Sequence, residues 1–299
     1  MSKKTTYIVF IILVIIIGSF LNWKYCCSAT EDTTEKVIVT PVQKNTQNGL
    51  TIVDQDGSFN FESVDHLNFA KSSSKIIQPV SENINNGVSK LKVYLEGHPE
   101  KTILLTGLYN STETYDGAFP DLGIARATAV KNYLTSKGIS STQIDLFSQE
   151  KNDLTIENDI YIGPLSLSIH DTQVTEKEEL TQLKERIISD PLVVHFQTGQ
   201  SSPTLSTIQK QKIADIARYI DKTIESSVLI TGHTDNVGST ANNIALGQQR
   251  ASYMRKFLID NGIPSNKITT DSKGPQEPIA PNNTSEGRAK NRRTIVTIH

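Results

Sequence analysis

Most of the chain alternates between two hydrophobic patterns: short apolar runs, and longer stretches in which apolar residues return every three or four positions. The first pattern is typical of β-strands and the second of amphipathic helices. In the last third of the chain, the predicted strands are residues 192–196, 228–231, 267–271 and 294–298. Helical spacing fills residues 208–220 and 242–261, and Gly262 is placed to end the second helix. Strands that alternate with helices predict an α/β fold with a mixed sheet covered by helices.

A repeat of this pattern occupies the middle of the chain. Residues 122–127 match residues 246–251, 124 positions further on. Residues 104–107 match residues 229–232, and residues 67–69 match residues 194–196. Matches that keep the same order over this length predict two copies of one domain. Between the copies, residues 175–188 have the spacing of an amphipathic connector helix. We therefore predict two βαβαβ domains, each an α+β sandwich in which helices pack on a small mixed sheet.

The N-terminal segment has a different pattern. Residues 5–23 carry no charge and follow Lys3 and Lys4. Because about 20 apolar residues cross a bilayer as a helix, this segment predicts a transmembrane anchor with a cytoplasmic N-terminus. A cleaved signal peptide is the alternative. Cys26 and Cys27 come directly after it, but adjacent cysteines have the spacing of neither a structural disulfide nor a metal site, and the bulky residues before them disfavour lipidation.

These patterns predict five segments along the chain. We expect an anchor at 1–27, a polar tether at 28–49, a first domain at 50–170, a connector at 171–190 and a second domain at 191–299. The charge is nearly balanced, with 30 Lys and Arg against 32 Asp and Glu. Nucleic acid is therefore not an expected partner, since nucleic-acid-binding domains carry a basic surface.

A polar motif follows the second predicted strand of the last domain. It reads Gly-His-Thr-Asp-x-x-Gly over residues 232–238, with Asn243 eight residues and Arg250 fifteen residues after Asp235. Gly-Arg-x-x-Asn-Arg-Arg follows at residues 287–293, before the last strand. Taken together, these motifs resemble the OmpA C-terminal family over about 110 residues, from 191 to 299.

The resemblance implies a peptidoglycan-binding domain that holds the diaminopimelate residue of the stem peptide without a covalent bond. That side chain ends in an ammonium and a carboxylate, so a binder needs opposite charges at a fixed separation. The resemblance assigns Asp235 and Arg250 to these roles. The full set of expected ligand-binding residues is Asp235, Arg250, Asn243, Thr234, Asn236, Leu246 and Arg292. The alternative is that Asp235 and Arg250 form an ion pair that only fixes the fold.

The first copy departs from the motif. Asn110 stands where the second copy has Asp235, and Arg126 persists with a spacing one residue longer. The end of the copy, taken at residues 158–162, lacks the paired arginines. A site without its anion would hold an ammonium poorly. We therefore expect residues 50–170 to be a spacer, or a surface for another envelope protein.

The expected function is that of a non-enzymatic anchor between a membrane and peptidoglycan in a bacterial cell envelope. The domains would be periplasmic behind a single membrane pass, in the inner membrane, or the outer membrane if the N-terminal segment is cleaved. A scaffold or stator-like component is the alternative, and a peptidoglycan hydrolase is a further one. We predict no catalytic residue, metal or cofactor, because no nucleophile with its base, paired carboxylates or His/Cys cluster stands out.

Overall fold

The computed structural model describes residues 49–172 and 176–299. The predicted membrane anchor, the tether up to residue 48, Cys26 and Cys27 lie outside the described residues. Within the described ranges, no helix is both long and apolar enough to cross a membrane.

The first domain, residues 49–172, has a main sheet and a small second sheet. Its elements in chain order are β1 (Thr51–Asp54), β2 (Asn60–Glu62), β3 (Phe69–Ala70), α1 (Glu82–Gly97), β4 (Lys101–Tyr109), α2 (Leu122–Ser136), β5 (Ile144–Glu150), β6 (Ile156–Glu157), β7 (Ile160–Tyr161) and β8 (Leu165–Asp171). The main sheet has the order β2-β1-β8-β4-β5, and β3, β7 and β6 form the small sheet. In the main sheet β4 runs parallel to β5 and antiparallel to β8, so this sheet is mixed as predicted.

The second domain, residues 191–299, follows helix α3 (Glu176–Ser189), which matches the helix predicted at 175–188. Its elements are β9 (Leu192–His195), α4 (Thr207–Lys222), β10 (Val228–His233), α5 (Thr240–Asp260), β11 (Ile268–Gly274), α6 (Ser285–Asn291) and β12 (Arg293–Ile298). The sheet order is β11-β10-β12-β9, with β10 parallel to β11 and antiparallel to β12. The strands and helices predicted for this domain are thus confirmed, and α6 is a short helix that the sequence analysis missed.

Side-chain caps explain where the long helices begin. The Ser206 hydroxyl accepts the Gln209 N–H, and the Gln209 side chain accepts the Ser206 N–H in return, a capping box at the start of α4. The Ser239 hydroxyl accepts the Asn242 N–H at the start of α5. Helix α5 ends as predicted, with Gly262 at a φ of 89°, a left-handed conformation that favours glycine.

In each domain, one pair of glycines lets a helix contact a strand closely. A Cβ on Gly232 of β10 would lie 1.9 Å from the carbonyl oxygen of Gly247 on α5. In the first domain, a Cβ on Gly107 of β4 would lie 1.9 Å from the carbonyl oxygen of Gly123 on α2. The backbone of the helix therefore contacts the backbone of the strand directly in both copies. This contact sets the position of the helix, and of its side chains, relative to the strand.

Each domain has its own hydrophobic core. Helix α3 contributes Leu183 and Ile187 to the second core, where they are buried with residues of β9, α4, β10, α5 and β12. The core of the first domain is a separate cluster built from α1, α2 and the main sheet. Burial of such apolar surface is the main stabilising contribution in a domain of this size.

The first domain differs from the repeat that the sequence indicates. Residues 67–69, which match the start of the second domain, do not join the main sheet, because β3 pairs with β7. The position next to β8, which corresponds to that of β9 beside β12, is taken by β1, which runs parallel to β8 and has β2 on its other side. Residues 158–162 are not the end of the copy. Asn158 and Asp159, both with positive φ, form the turn between β6 and β7, and the strand equivalent to β12 is β8.

Charged side chains form part of the contact between the two domains. Lys131 on α2 lies 2.6 Å from the carboxylate of Asp221 on α4. Lys222 lies 3.0 Å from the carboxylate of Asp145 on β5 and donates to the carbonyl of Thr142. The contact thus joins the α2 and β5 side of the first domain to the end of α4.

Candidate functional site

The loop between β10 and α5 carries the motif residues of the second domain. Thr234 is buried, its N–H donates to the carbonyl of Gly274 at 2.8 Å, and its hydroxyl donates to the carbonyl of Asp235 at 2.8 Å. Asn243, on the first turns of α5, donates to the carbonyl of Val237 at 3.1 Å. Thr234 and Asn243 therefore hold the two ends of this loop, while Asn236 is exposed between them.

Asp235 is paired with Arg292. One carboxylate oxygen accepts the Arg292 Nη1 at 2.9 Å, and the other accepts the main-chain N–H of Val237 at 3.1 Å. The Asp235 and Arg292 side chains are 10% and 12% exposed, so the ion pair is mostly buried but still reaches the protein surface. Arg292 also donates through Nε to the carbonyl of Phe196 at 3.1 Å. The alternative in which Asp235 forms its ion pair with Arg250 is wrong, because the partner of Asp235 in the described chain is Arg292.

Arg250 is fully buried and held by main-chain carbonyls. Its Nε donates to Gln200 at 2.9 Å, its Nη1 to His233 at 3.0 Å and its Nη2 to Gln197 at 3.4 Å. The guanidinium carbon lies 4.8 Å from the ring centroid of Phe196, a cation–π contact. Burial, and then the positive charge of Arg292, lower the pKa of Arg250 to about 10, so it remains a cation at neutral pH.

The predicted site residues thus meet in one place with different exposure. Helix α5 presents Asn243, Leu246 and Arg250 along one side, with Asn243 and Arg250 buried and Leu246 half-buried. Arg250 donates to the carbonyl of His233, the last residue of β10, and Asp235 follows two positions later. Both charged groups therefore lie near the C-terminal end of β10. Sequence analysis missed Phe196, Gln197 and Gln200, whose only signal was the match of Phe196 to Phe69 in the repeat.

A cleft of about 480 Å³ adjoins the site. It is lined by His195, Phe196, Gln197, Gln200, Pro203, Thr204, Ala289, Lys290 and Arg292. Arg292 is therefore shared by the cleft and by the ion pair with Asp235. Lys290 adds a second positive charge, so the cleft suits a ligand that carries negative charge.

The first domain holds Arg126 in the same way as the second holds Arg250. Its Nη1 donates to the carbonyl of Leu108 at 2.8 Å and its Nε to the carbonyl of Ser73 at 3.2 Å. It also has an anion of its own: Glu113 grips it with both carboxylate oxygens, at 2.6 and 3.0 Å. The expectation that this copy lacks an anion is therefore wrong. The charge absent at Asn110 is present in the same loop, at Glu113.

The chain thus has two related α/β domains. Each has a mixed sheet, a glycine pair between a strand and a helix, and a buried helical arginine that donates to a carbonyl near the end of a central strand. A model of the OmpA family matches residues 68–160 and 196–292, which together make up more than half of the chain. The chain therefore belongs to the OmpA family.

Among curated proteins, the chain is similar to peptidoglycan-binding protein ArfA of Mycobacterium tuberculosis, at 43% identity over 101 residues, 34% of this chain and 31% of that protein. It is also similar to outer membrane protein A of Bordetella avium, at 40% identity over 29% of this chain and 43% of that protein. The chain thus spans less than half the length of these two relatives. The crystal structure of the peptidoglycan-associated lipoprotein from Burkholderia pseudomallei aligns with 38% of this chain and 92% of its own, at 26% identity and a TM-score of 0.34.

Proposed function

We propose that this protein is a non-enzymatic anchor that ties a membrane to peptidoglycan, and that its second domain binds the diaminopimelate residue of the stem peptide. The observation that carries the proposal is the meeting of Asp235, Arg292 and Arg250 beside a cationic cleft. Membership of the OmpA family and the similarity to a protein named for peptidoglycan binding support it.

The ligand chemistry fits these three charges. Diaminopimelate presents an ammonium, which suits Asp235, and a carboxylate, which suits a guanidinium because two parallel N–H groups match its two oxygens. Arg250 donates to carbonyls through three of its N–H groups, which leaves one on Nη1 and one on Nη2, the two nitrogens that bind Glu113 on Arg126 in the first domain. Arg292, at the edge of the cleft, supplies a second cation. Asn243 and Thr234 shape the loop, and Asn236 and Leu246 complete the proposed surface.

Peptidoglycan co-sedimentation of the full chain tests this proposal. Asp235→Asn keeps the size of the side chain and its acceptor for Val237 but removes the charge. We expect retention to fall by about tenfold or more, because losing one partner of a desolvated charge pair costs about 2 kcal/mol or more. Arg250→Lys tests the carboxylate side, because a lysine cannot hold several acceptors in a plane.

The matched controls are two separate variants on α5, Asp260→Asn at an exposed position and Arg255→Lys at a half-buried position whose side chain donates to the carbonyl of Ser265. Each control variant should sediment like the wild type. Retention of Asp235→Asn at the wild-type level would refute the site assignment, and release of soluble fragments from labelled wall by the wild type would refute the non-enzymatic function.

The membrane connection and the role of the first domain belong to the same proposal. Residues 5–23 would anchor the chain in the inner membrane with the domains in the periplasm, which resistance to alkaline extraction of a membrane fraction would test. The first domain would act as a spacer or contact another envelope protein, and crosslinking of the full chain in intact cells would test for such a partner. A stator that couples ions needs an acidic or basic side chain in its membrane helix, and residues 5–23 contain no Asp, Glu, Lys, Arg or His.

A further inference from the structure

The carboxylate of Glu113 is bound as a ligand would be. The side chain has no solvent exposure, and each oxygen accepts one guanidinium N–H and one main-chain N–H. One oxygen accepts Arg126 Nη2 at 2.6 Å and the N–H of Ser72 at 2.8 Å. The other accepts Arg126 Nη1 at 3.0 Å and the N–H of Asn110 at 3.0 Å. Four charge-assisted bonds in this arrangement make a complete carboxylate-binding site.

The framework around this site repeats in the second domain. The corresponding positions are Phe69 and Phe196 under the guanidinium, Ser73 and Gln200 on Nε, Leu108 and His233 on Nη1, and Asn110 and Asp235 in the loop. What differs is the acceptor on Nη2, which is the Glu113 carboxylate in the first domain and the carbonyl of Gln197, at 3.4 Å, in the second. Three residues after Asn110 the first domain has Glu113, and three residues after Asp235 the second domain has Gly238, which has no side chain.

We propose that Glu113 is a built-in ligand, and that the first domain is a carboxylate-binding domain that the chain keeps permanently filled. We call the Nη groups of Arg126 and the N–H groups of Ser72 and Asn110 the first-domain carboxylate site. Removal of the Glu113 side chain opens this site to small monocarboxylates such as formate and acetate. The framework that holds Arg126, namely Leu108, Ser73 and Phe69, does not involve Glu113 and so stays in position to receive them.

Chemical rescue of the full chain tests the proposal without reference to peptidoglycan. In Glu113→Ala, the buried guanidinium loses its anion, and we expect the melting temperature to fall by several degrees. Sodium acetate or formate at about 0.1 M should recover a clear part of that loss, whereas sodium chloride at the same ionic strength should not, because ligand binding to the folded state alone raises stability by mass action. The wild type should respond equally to all three salts.

Two further variants make the result specific. Glu96→Ala removes a carboxylate that is 62% exposed on α1, and it should show no selective response to acetate. Glu113→Gln keeps the site filled with an amide, so it should be destabilised but not rescued. If Glu113→Ala does not fold in chloride, the yield of folded protein after refolding in acetate and in chloride is compared instead.

An acetate response of Glu113→Ala no larger than that of the wild type, or equal refolding yields, would overturn the proposal. So would an undiminished response after Arg126→Lys is added to Glu113→Ala. Every variant in this experiment is altered only in the first domain, and the readouts are melting temperature and refolding yield. Failure here therefore leaves peptidoglycan binding by the second domain unaffected, and failure of the sedimentation experiment leaves this inference standing.

Discussion

At the scale of single residues, the two domains use one arginine arrangement for two purposes. Arg126 and Arg250 donate to equivalent carbonyls and lie over equivalent phenylalanine rings. In the first domain Glu113 accepts two further N–H groups of Arg126, one from Nη1 and one from Nη2. In the second domain Asp235 turns to Arg292. The same arginine framework thus has an acidic side-chain partner in the first copy, whereas in the second copy the nearby aspartate pairs with a different arginine.

His233 should make the second domain less stable in mild acid. Burial, and then the positive charge of Arg293, lower the pKa of His233 from 6.5 to about 4. The unfolded chain therefore takes up a proton near pH 6.5 that the folded chain takes up only near pH 4, so stability is lost as the pH falls through that window. The full loss is about 3 kcal/mol, at about 1.4 kcal/mol for each unit of pKa.

Urea unfolding between pH 7.5 and 4.5 measures this effect. His233→Gln should flatten the pH dependence, whereas His195→Gln, at an exposed position of β9, should leave it as in the wild type. A pH dependence that is the same in His233→Gln and the wild type would show that the imidazole does not carry the effect.

The sequence predicted some of these residues and not others, for a physical reason. Asp235, Arg250 and Arg292 were found because they belong to ordered motifs with fixed spacing. Glu113 was not found, because the first copy was compared position by position and Asn110 stood where an aspartate was expected. A carboxylate three residues further along a loop reaches the same guanidinium through space, and spacing along the chain does not report this.

At the scale of elements, the glycine pairs determine where each arginine lies. Arg250 is three residues after Gly247, almost one helical turn, and the carbonyl that it reaches belongs to the residue after Gly232. Direct contact between strand and helix is what brings the two within hydrogen-bond distance. The repeated Thr-Gly and Leu-Gly sequences were found as matches between the copies. Only the structure explains why both positions are glycine, because the two backbones are in contact there.

Gly232→Ala should therefore disturb both the fold and the site. The added methyl group has no room beside the Gly247 carbonyl, so α5 must move away from β10, and we expect a loss of about 3 kcal/mol in the free energy of unfolding. Peptidoglycan retention should fall with it, because Arg250 moves with the helix. Gly97→Ala is the control, since nothing lies within 4 Å of its Cβ and its unfolding free energy should stay within about 1 kcal/mol. Wild-type stability of Gly232→Ala in urea unfolding would contradict the contact.

The elements that sequence analysis missed are short or paired over long distances. Strand β1 has four residues and pairs with β8, more than a hundred positions away. Helix α6 has seven residues, too few for a clear helical period. By contrast, α4 and α5 were predicted because each spans several turns with caps at its ends. Local patterns therefore predicted the strands and long helices of the second domain, but they did not predict that β1 joins the main sheet of the first domain.

At the scale of the molecule, the contact between the domains includes two lysine–aspartate pairs. Lys131 and Asp221 are 14% and 23% exposed, so their pair is better shielded from solvent than most surface ion pairs. The second pair, Lys222 and Asp145, lies on the same contact. Sequence analysis predicted two domains and a connector but offered no sign of this contact, since its residues lie in different copies.

A charge-reversal cycle tests the contact. Lys131→Glu and Asp221→Lys should each lower the melting temperature, and the double variant should recover part of the loss, with a coupling energy of about 1 kcal/mol. Reversal of the exposed Lys256, which pairs with Asp260 within α5, is the control and should have little effect. Additive effects of the two single variants would mean that these residues do not interact in solution.

The first-domain carboxylate site, which Glu113 occupies, also affects how proteins with tandem domains are interpreted from their sequences. The same family model matches both copies, although one presents Asp235 beside a cleft and the other closes its arginine with Glu113. Such a match therefore reports ancestry and scaffold, and does not count binding sites. A loop that has lost the aspartate and gained an acidic residue three positions later is a simple criterion for recognising closed copies. Counting matched domains alone would treat the arginine paired with Glu113 and the aspartate paired with Arg292 as the same site.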